Sequence, residues 1–248
     1  MLGMHNLLKG GTPIAGQLSA LHLYVGGVVA LGGLVGAAAV VGAPARAPGQ
    51  VALLALLCGG AQLLRVRLPQ ASAVSAAVAV VFAAVLSSGL RGAVLVALAG
   101  GVVAAIVPLG SPLHKGLFNA GTWVLCAAVA YGIYRGLGGP EGALPGPLPA
   151  IPAAAAYYVV NAGLVAGAIS LSSKVPVQAV WANNFRDLAP TYGILATLGY
   201  GMACAAVLGG PPALVGVAAL LVLPWASLRV YAAQRSRADQ ARVVSPGC

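Results

Sequence analysis

Polar side chains that interrupt the long apolar runs of this chain are few, and they offer its best material for recognition chemistry. Asn119 and Asn161 stand inside such runs, and Asn184, Arg186 and Asp187 lie together just before another. Amide, guanidinium and carboxylate groups grouped in this way can bind a small polar or amphipathic molecule. The candidate ligand-binding residues are Asn119, Asn161, Trp181, Asn184, Arg186, Asp187 and Tyr192.

Asn119 and Asn161 admit two interpretations. If the runs that carry them pack against the 184–187 segment, these side chains would line one polar pocket. A simple structural role is the alternative, because an amide between two membrane helices hydrogen-bonds across them for about 0.6–2 kcal/mol. The sequence leaves both interpretations open.

Catalytic and metal-binding groups are scarce. The three acids, Glu141, Asp187 and Asp239, form no carboxylate pair, and no zinc-protease, phosphate-loop or serine-hydrolase motif is present. The four cysteines are far apart, and the histidines are on separate elements. His114 beside Lys115 would contact a phosphate or, more simply, anchor a helix end. The sequence therefore disfavours an enzyme, indicates no metal site and leaves the identity of any cofactor unknown.

The amino-acid composition indicates whether these residues lie in a soluble protein or in a membrane protein. Of 248 residues, 60% are hydrophobic and 6% are charged, whereas a soluble domain is about 25% charged. So few charges would not cover the surface of a soluble enzyme. A net charge of +10 would suggest nucleic acid in a soluble protein. Here it predicts basic anchors at the ends of membrane helices instead.

Apolar runs of the length that crosses a bilayer, about 20 residues, recur along the chain. They predict an all-α, polytopic transmembrane bundle of about eight spans, or seven at the fewest. The second and third runs are the weakest and would also suit re-entrant segments. Leu90 and Arg91 would form the tight turn between the third and fourth. The runs are Leu18–Gly42, Gln50–Leu64, Ser72–Gly89, Gly92–Leu109, Gly116–Leu137, Pro152–Ser173, Ala189–Leu208 and Pro211–Leu228.

Basic residues predict the orientation. With eight crossings, Arg46, Arg91 and Arg135 lie on one side, and the other ten of the 13 basic residues lie on the side of the N-terminus. Cytoplasmic loops carry the excess of Lys and Arg. We therefore expect both termini in the cytoplasm, a single membrane domain over 1–228 and a basic cytoplasmic tail over 229–248.

The segment Val175–Leu188 shows apolar residues at roughly helical spacing with polar ones between them. This pattern predicts an amphipathic helix in the membrane interface, with Trp181 at headgroup level. Arg186 and Asp187 are adjacent, so on an α-helix they point to different sides and would not pair with each other.

Several short motifs occur in a familiar order. They include Arg-Val-Arg-Leu-Pro (65–69), Pro-Leu-His-Lys-Gly-Leu-Phe-Asn (112–119), Tyr-Tyr-Val-Val-Asn (157–161) and Ala-Pro-Thr-Tyr (189–192). This order resembles the multi-span N-terminal sensory regions of bacterial signalling proteins that carry HD-GYP or GGDEF output domains. The resemblance implies a sensory module in a bacterial plasma membrane, here without its output domain and acting through a separate partner.

Three functions are consistent with these observations. The first is a sensory or ligand-binding membrane module for a small apolar or amphipathic ligand, signalling to a cytoplasmic protein. The second is a small-solute transporter, or a substrate-binding subunit of a vitamin-type uptake system. The third is a lipid-processing enzyme. The expected partners are the lipid bilayer, the small ligand and the cytoplasmic protein, with no nucleic acid.

Overall fold

Long apolar segments fold as helices in lipid because each backbone polar group must be paired within its own segment. The computed structural model describes residues 15–42, 47–63, 66–67, 73–106, 113–223, 225–226 and 229–230. Apart from two paired two-residue strands, β1 and β2, and the turns and loops between elements, these residues fold as helices, which confirms the all-α class. The elements are α1 (Ala15–Gly42), α2 (Pro48–Leu63), β1 (Val66–Arg67), β2 (Ala73–Val74), α3 (Ala77–Ser87), α4 (Gly89–Ile106), α5 (Leu113–Gly136), α6 (Pro147–Ser173), α7 (Val177–Asn184), a 3-10 turn (Arg186–Leu188) and α8 (Ala189–Ala219).

Five helical stretches in the described part of the chain are long and apolar enough to cross a membrane. They identify a multi-pass membrane protein. Eight crossings, and cytoplasmic termini, stay a prediction. The five stretches are Ala20–Gly42, Gly89–Ile106, Leu113–Gly136, Pro147–Ser173 and Val177–Ala219.

The last of these stretches reverses direction within α8. Gly210 has φ +62° and ψ −155°, which no α-helix contains, and Pro211 follows it. A methyl group on Gly201 would lie 3.8 Å from Cγ1 of Val217. In an unbroken helix these two residues would be about 24 Å apart. The chain therefore folds back at Gly210, where the sequence predicts its final hairpin.

Helix α3 is the centre of the bundle. Its 11 residues extend only about 16 Å, about half the thickness of the hydrocarbon. Every residue from Ala77 to Leu86 is buried, and α3 packs against α2, α4, α5 and α8. A helix that is apolar on all sides is one that other elements enclose. The weak third run is thus a short, wholly enclosed helix.

Side-chain hydrogen bonds fix α2 and α3 as an antiparallel pair. At one end, Nε2 of Gln50 donates to Oγ of Ser87 at 2.9 Å and to Oγ of Ser88 at 3.2 Å. At the other end, Oγ of Ser75 donates to the carbonyl oxygen of Ala61 at 3.2 Å. The start of α3 therefore lies level with the end of α2.

The predicted turn at Leu90 and Arg91 is wrong. Both residues lie in the first turn of α4, which begins at Gly89. The chain turns at Ser88 and Gly89 instead, because Gly89 takes a φ of +71°, which residues with a Cβ rarely adopt. Leucine and arginine favour helices, so they continue α4 rather than interrupt it.

Another boundary differs for a similar reason. Helix α6 begins at Pro147, five residues before the predicted Pro152, because proline suits the first turn of a helix. The loop that precedes it is held by phenols: the hydroxyl of Tyr131 donates to the Glu141 carboxylate, and that of Tyr200 donates to the Pro145 carbonyl at 2.8 Å.

Of the predicted tail over 229–248, residues 231–248 lie outside the described residues.

Helices approach one another most closely at glycines. A Cβ on Gly32 of α1 would lie 2.6 Å from the Cα of Gly121 of α5, and one on Gly199 of α8 would lie 2.5 Å from the carbonyl oxygen of Ala79 of α3. Such approach lets membrane helices gain dispersion contacts where lipid offers no hydrophobic drive between them.

Replacing Gly199 by alanine should therefore destabilise the protein by about 1–3 kcal/mol, since the added methyl meets backbone that cannot give way. Thermal unfolding in detergent can be followed by the reaction of Cys58 and Cys126, both buried, with a thiol-reactive dye. Gly216→Ala on the same helix is the control, because no atom lies within 4 Å of its Cβ position. Equal melting temperatures for the two variants would contradict this packing.

Candidate ligand-binding cavity

A cavity of about 440 Å³, here called the polar cavity, lies inside the helical bundle. It is bordered by the first half of α5, the second half of α6 and residues from α1, α2, α3, α4 and α8. Its remaining walls are mostly aliphatic. The side chains with polar atoms that line it are Gln62, Ser75, His114, Lys115, Asn119, Thr122, Trp123, Asn161, Ser172 and Tyr192.

The space exists because two helices begin partway along their neighbours. Val78 in the first turn of α3 and Tyr192 in the first turn of α8 line the cavity beside Asn161, near the middle of α6. Beyond this level α5 and α6 continue, and the chain before α8 contributes only Phe185 and Leu188 to the wall. The hollow half of the bundle is therefore the half that α3 and α8 do not fill.

Asn161 and Tyr192 form a hydrogen bond at the inner end of the polar cavity. Nδ2 of Asn161 donates to the hydroxyl oxygen of Tyr192 at 2.6 Å, and both residues are buried. The ring of Tyr158 lies 4.9 Å from that of Tyr192, and its hydroxyl donates to the Phe185 carbonyl at 2.6 Å. These contacts join the middle of α6 to the beginning of α8.

Thr122 is a buried polar group whose hydroxyl bonds to no other described atom. Its side chain lines the polar cavity, and the residue is 1% exposed. Leaving a hydroxyl buried in this way costs about 1–3 kcal/mol. A polar ligand that reached Oγ1 of Thr122 would recover part of that free energy.

Charge in the polar cavity has one sign. Among the described residues, Lys115 and His114 are the ionisable side chains at the cavity other than the Tyr192 phenol, and no acidic side chain lines it. Of the acids in the described residues, Asp187 lies on the surface, and Glu141 lies beyond the other end of α5, 3.7 Å from Nε of Arg135. The cavity therefore favours anionic groups and hydrogen-bond acceptors.

A second space, here called the apolar groove, shares Tyr192 with the polar cavity as a lining residue. Its volume is about 530 Å³, and it lies between α6 and α8 with Phe82 of α3 against it. Tyr192 lines both spaces. One face of α6, with lining residues three or four positions apart, borders first the groove and then the cavity. Along α6 these residues are Pro147, Ala150, Ile151, Ala154, Ala155, Tyr158, Asn161, Val165, Ala168, Ile169 and Ser172.

Three of the seven residues predicted as a ligand site come together. Asn119, Asn161 and Tyr192 line the polar cavity, although they lie on three different helices. Asn161 satisfies both interpretations of its role, because it borders the cavity and also hydrogen-bonds to another helix.

The other four predicted residues lie outside the polar cavity. Trp181 lies on α7 and packs against Tyr158, with ring centroids 5.8 Å apart. Nδ2 of Asn184 donates within its own helix, to the Val180 carbonyl at 3.0 Å. Arg186 and Asp187 have exposed side chains. The position of Trp181 at headgroup level stays a prediction.

The predicted lack of pairing between Arg186 and Asp187 is wrong. Nε of Arg186 lies 3.8 Å from Oδ1 of Asp187. The amphipathic segment is not one α-helix: α7 ends at Asn184, and Arg186–Leu188 form a tighter 3-10 turn that changes the directions of adjacent side chains. Both side chains are largely exposed, so the pair contributes little to stability.

Sequence reasoning missed Thr122 as a site residue. Lys115, Asn119 and Thr122 follow one another at spacings of four and three residues on α5. Such spacings place side chains on one face of a helix, so the pattern was available in the sequence. Ser75 had no such signal, because its place at the cavity depends on where α3 begins.

Comparison with known proteins finds no matching family model, no matching curated protein and no matching solved structure.

The Asn161–Tyr192 hydrogen bond can be measured with a double-mutant cycle of Asn161→Leu and Tyr192→Phe. We expect a coupling free energy of about 0.6–1.7 kcal/mol, as for other hydrogen bonds between membrane helices. Unfolding in detergent by chemical denaturant would give the four stabilities. Strictly additive losses would show that the two side chains do not interact.

Proposed function

We propose that this chain is a membrane-embedded ligand-binding module of a bacterial plasma membrane. It binds a small amphipathic ligand in the polar cavity. It then signals ligand binding to a separate cytoplasmic protein. The chain crosses the bilayer eight times, with both termini in the cytoplasm.

The polar cavity is the observation that carries the proposal. Lipid-facing bundles avoid buried polar groups, because each costs free energy unless it is paired. Here Asn119, Thr122 and Asn161 meet around a space large enough for a small molecule, and the Thr122 hydroxyl bonds to no other described atom. Buried polarity of this kind marks a binding site more readily than a packing defect.

A transporter is the second candidate, and the half-length helices favour it. Many transporters bind their substrates near the bilayer midplane, where helices begin or end. The starts of α3 and α8 beside the polar cavity fit this description. A lipid-processing enzyme has less support, because none of the described residues places a carboxylate at the cavity to act as a general acid or base.

The orientation rests on the basic residues and on the reversal at Gly210, which returns the chain to the side from which it came. In a cysteine-free background, Leu144→Cys should react with a membrane-impermeant maleimide in intact cells. Lys174→Cys should react only after the membrane is permeabilised. Both positions are exposed, so labelling reports their side of the membrane. The opposite pattern would invert the predicted topology.

Ligand binding can be tested by native mass spectrometry of the protein released from mild detergent. We expect an adduct of constant mass that Thr122→Val reduces by about tenfold, since a lost hydrogen bond of about 1.4 kcal/mol changes affinity by that factor. Thr191→Val is the matched control, because Thr191 lines neither the cavity nor the groove.

Absence of any adduct, or equal adducts in the two variants, would contradict a ligand at the polar cavity. Reconstitution into vesicles with the identified molecule then separates the two candidate functions. A transporter moves the molecule across the bilayer, whereas a sensory module only retains it.

A further inference from the structure

We propose that the ligand is a single-chain amphiphile with a small anionic headgroup, a carboxylate or a phosphate. The headgroup occupies the polar cavity, and the alkyl chain lies in the apolar groove. This inference rests on the proposed function, because it names the chemical class of the molecule bound at that site.

Charge selects the headgroup. Lys115 is an exposed cation at the cavity, His114 is next to it in the sequence, and no carboxylate of the described residues lines the space. The Thr122 hydroxyl is buried and has no partner in the part of the chain that the structure describes, so it adds a hydrogen-bond donor deeper in the same wall. Cationic and hydroxyl donors hold carboxylate and phosphate oxygens well, and low dielectric strengthens the attraction.

The neighbouring groove determines the choice of chain. The face of α6 that borders the polar cavity from Asn161 to Ser172 borders the apolar groove from Pro147 to Tyr158. The groove portion of this face is about 16 Å long, from the helical rise. Its wall consists mostly of alanine, isoleucine and aromatic side chains. A space of this shape accommodates one extended alkyl chain of medium length.

Tyr192 marks the junction between headgroup and chain. It lines both spaces, and its hydroxyl faces Asn161 whereas its ring lies against Tyr158. An amphiphile that fills both spaces therefore changes from polar to apolar at the residue where the wall makes the same change. A free polar solute would leave the groove unused, and a neutral hydrocarbon would leave Lys115 and Thr122 unused.

The experiment measures binding of radiolabelled laurate and dodecanol to the full chain in phosphatidylcholine nanodiscs, with inorganic phosphate and acetate as further probes. Lys115→Gln should weaken laurate binding by about tenfold and leave dodecanol binding unchanged. Lys174→Gln, a second exposed lysine that lines neither space, is the control and should change neither.

The groove has its own pair of variants. Ala155→Trp fills the groove from an exposed position and should weaken both dodecyl probes by about tenfold, because a filled groove has no room for the chain. Val159→Trp on α6 lines neither space, is 54% exposed and should have no effect. Gel filtration of each variant confirms that it is folded.

Two outcomes would overturn the inference. Dodecanol binding as tightly as laurate, with Lys115→Gln silent, would exclude an anionic headgroup. Phosphate or acetate binding as tightly as laurate would assign the polar cavity to a free anion rather than an amphiphile. In either case the proposed function stands as long as Thr122→Val still removes the native adduct, and it fails separately if no adduct exists.

Discussion

Close backbone contact around the short helix α3 is the constraint on which the rest of the structure depends. A helix of 11 residues is too short to span the hydrocarbon of a bilayer. It is therefore stable only where longer helices enclose it on every side. Gly199 allows α8 to lie directly against Ala79, and Gln50 and Ser75 hold the two ends of α3 beside α2. The tightly packed half of the bundle follows from this enclosure.

The hollow half follows from the same constraint. Because α3 is short, the flanking parts of α5 and α6 enclose a space that no other described helix fills. Polar side chains from α5 and α6 then face one another instead of apolar neighbours. The site is therefore a product of helix length as much as of the residues that line it.

The sequence alone predicts the helical class, the membrane location and most helix positions. Apolar runs, and the proline and glycine residues between them, carry that information locally. Asn119, Asn161 and Tyr192 of the predicted set line the polar cavity, and each is a polar group in or beside an apolar run. Asn184, Arg186 and Asp187 lie outside it, because the end of α7 at Asn184 and the 3-10 turn after it depend on contacts such as Tyr158 with Phe185. The enclosure of α3 depends likewise on distant glycines, which have no signature of their own.

The single face of α6 that borders both spaces has a mechanical consequence. A ligand in the groove and a ligand in the polar cavity would both contact helix α6. Binding in either space would therefore act on the same helix. Helix α6 ends at Ser173, and Lys174, with φ +61°, turns the chain sharply into α7. A tilt of α6 would therefore displace the turn at Lys174, whichever of the two spaces held the ligand.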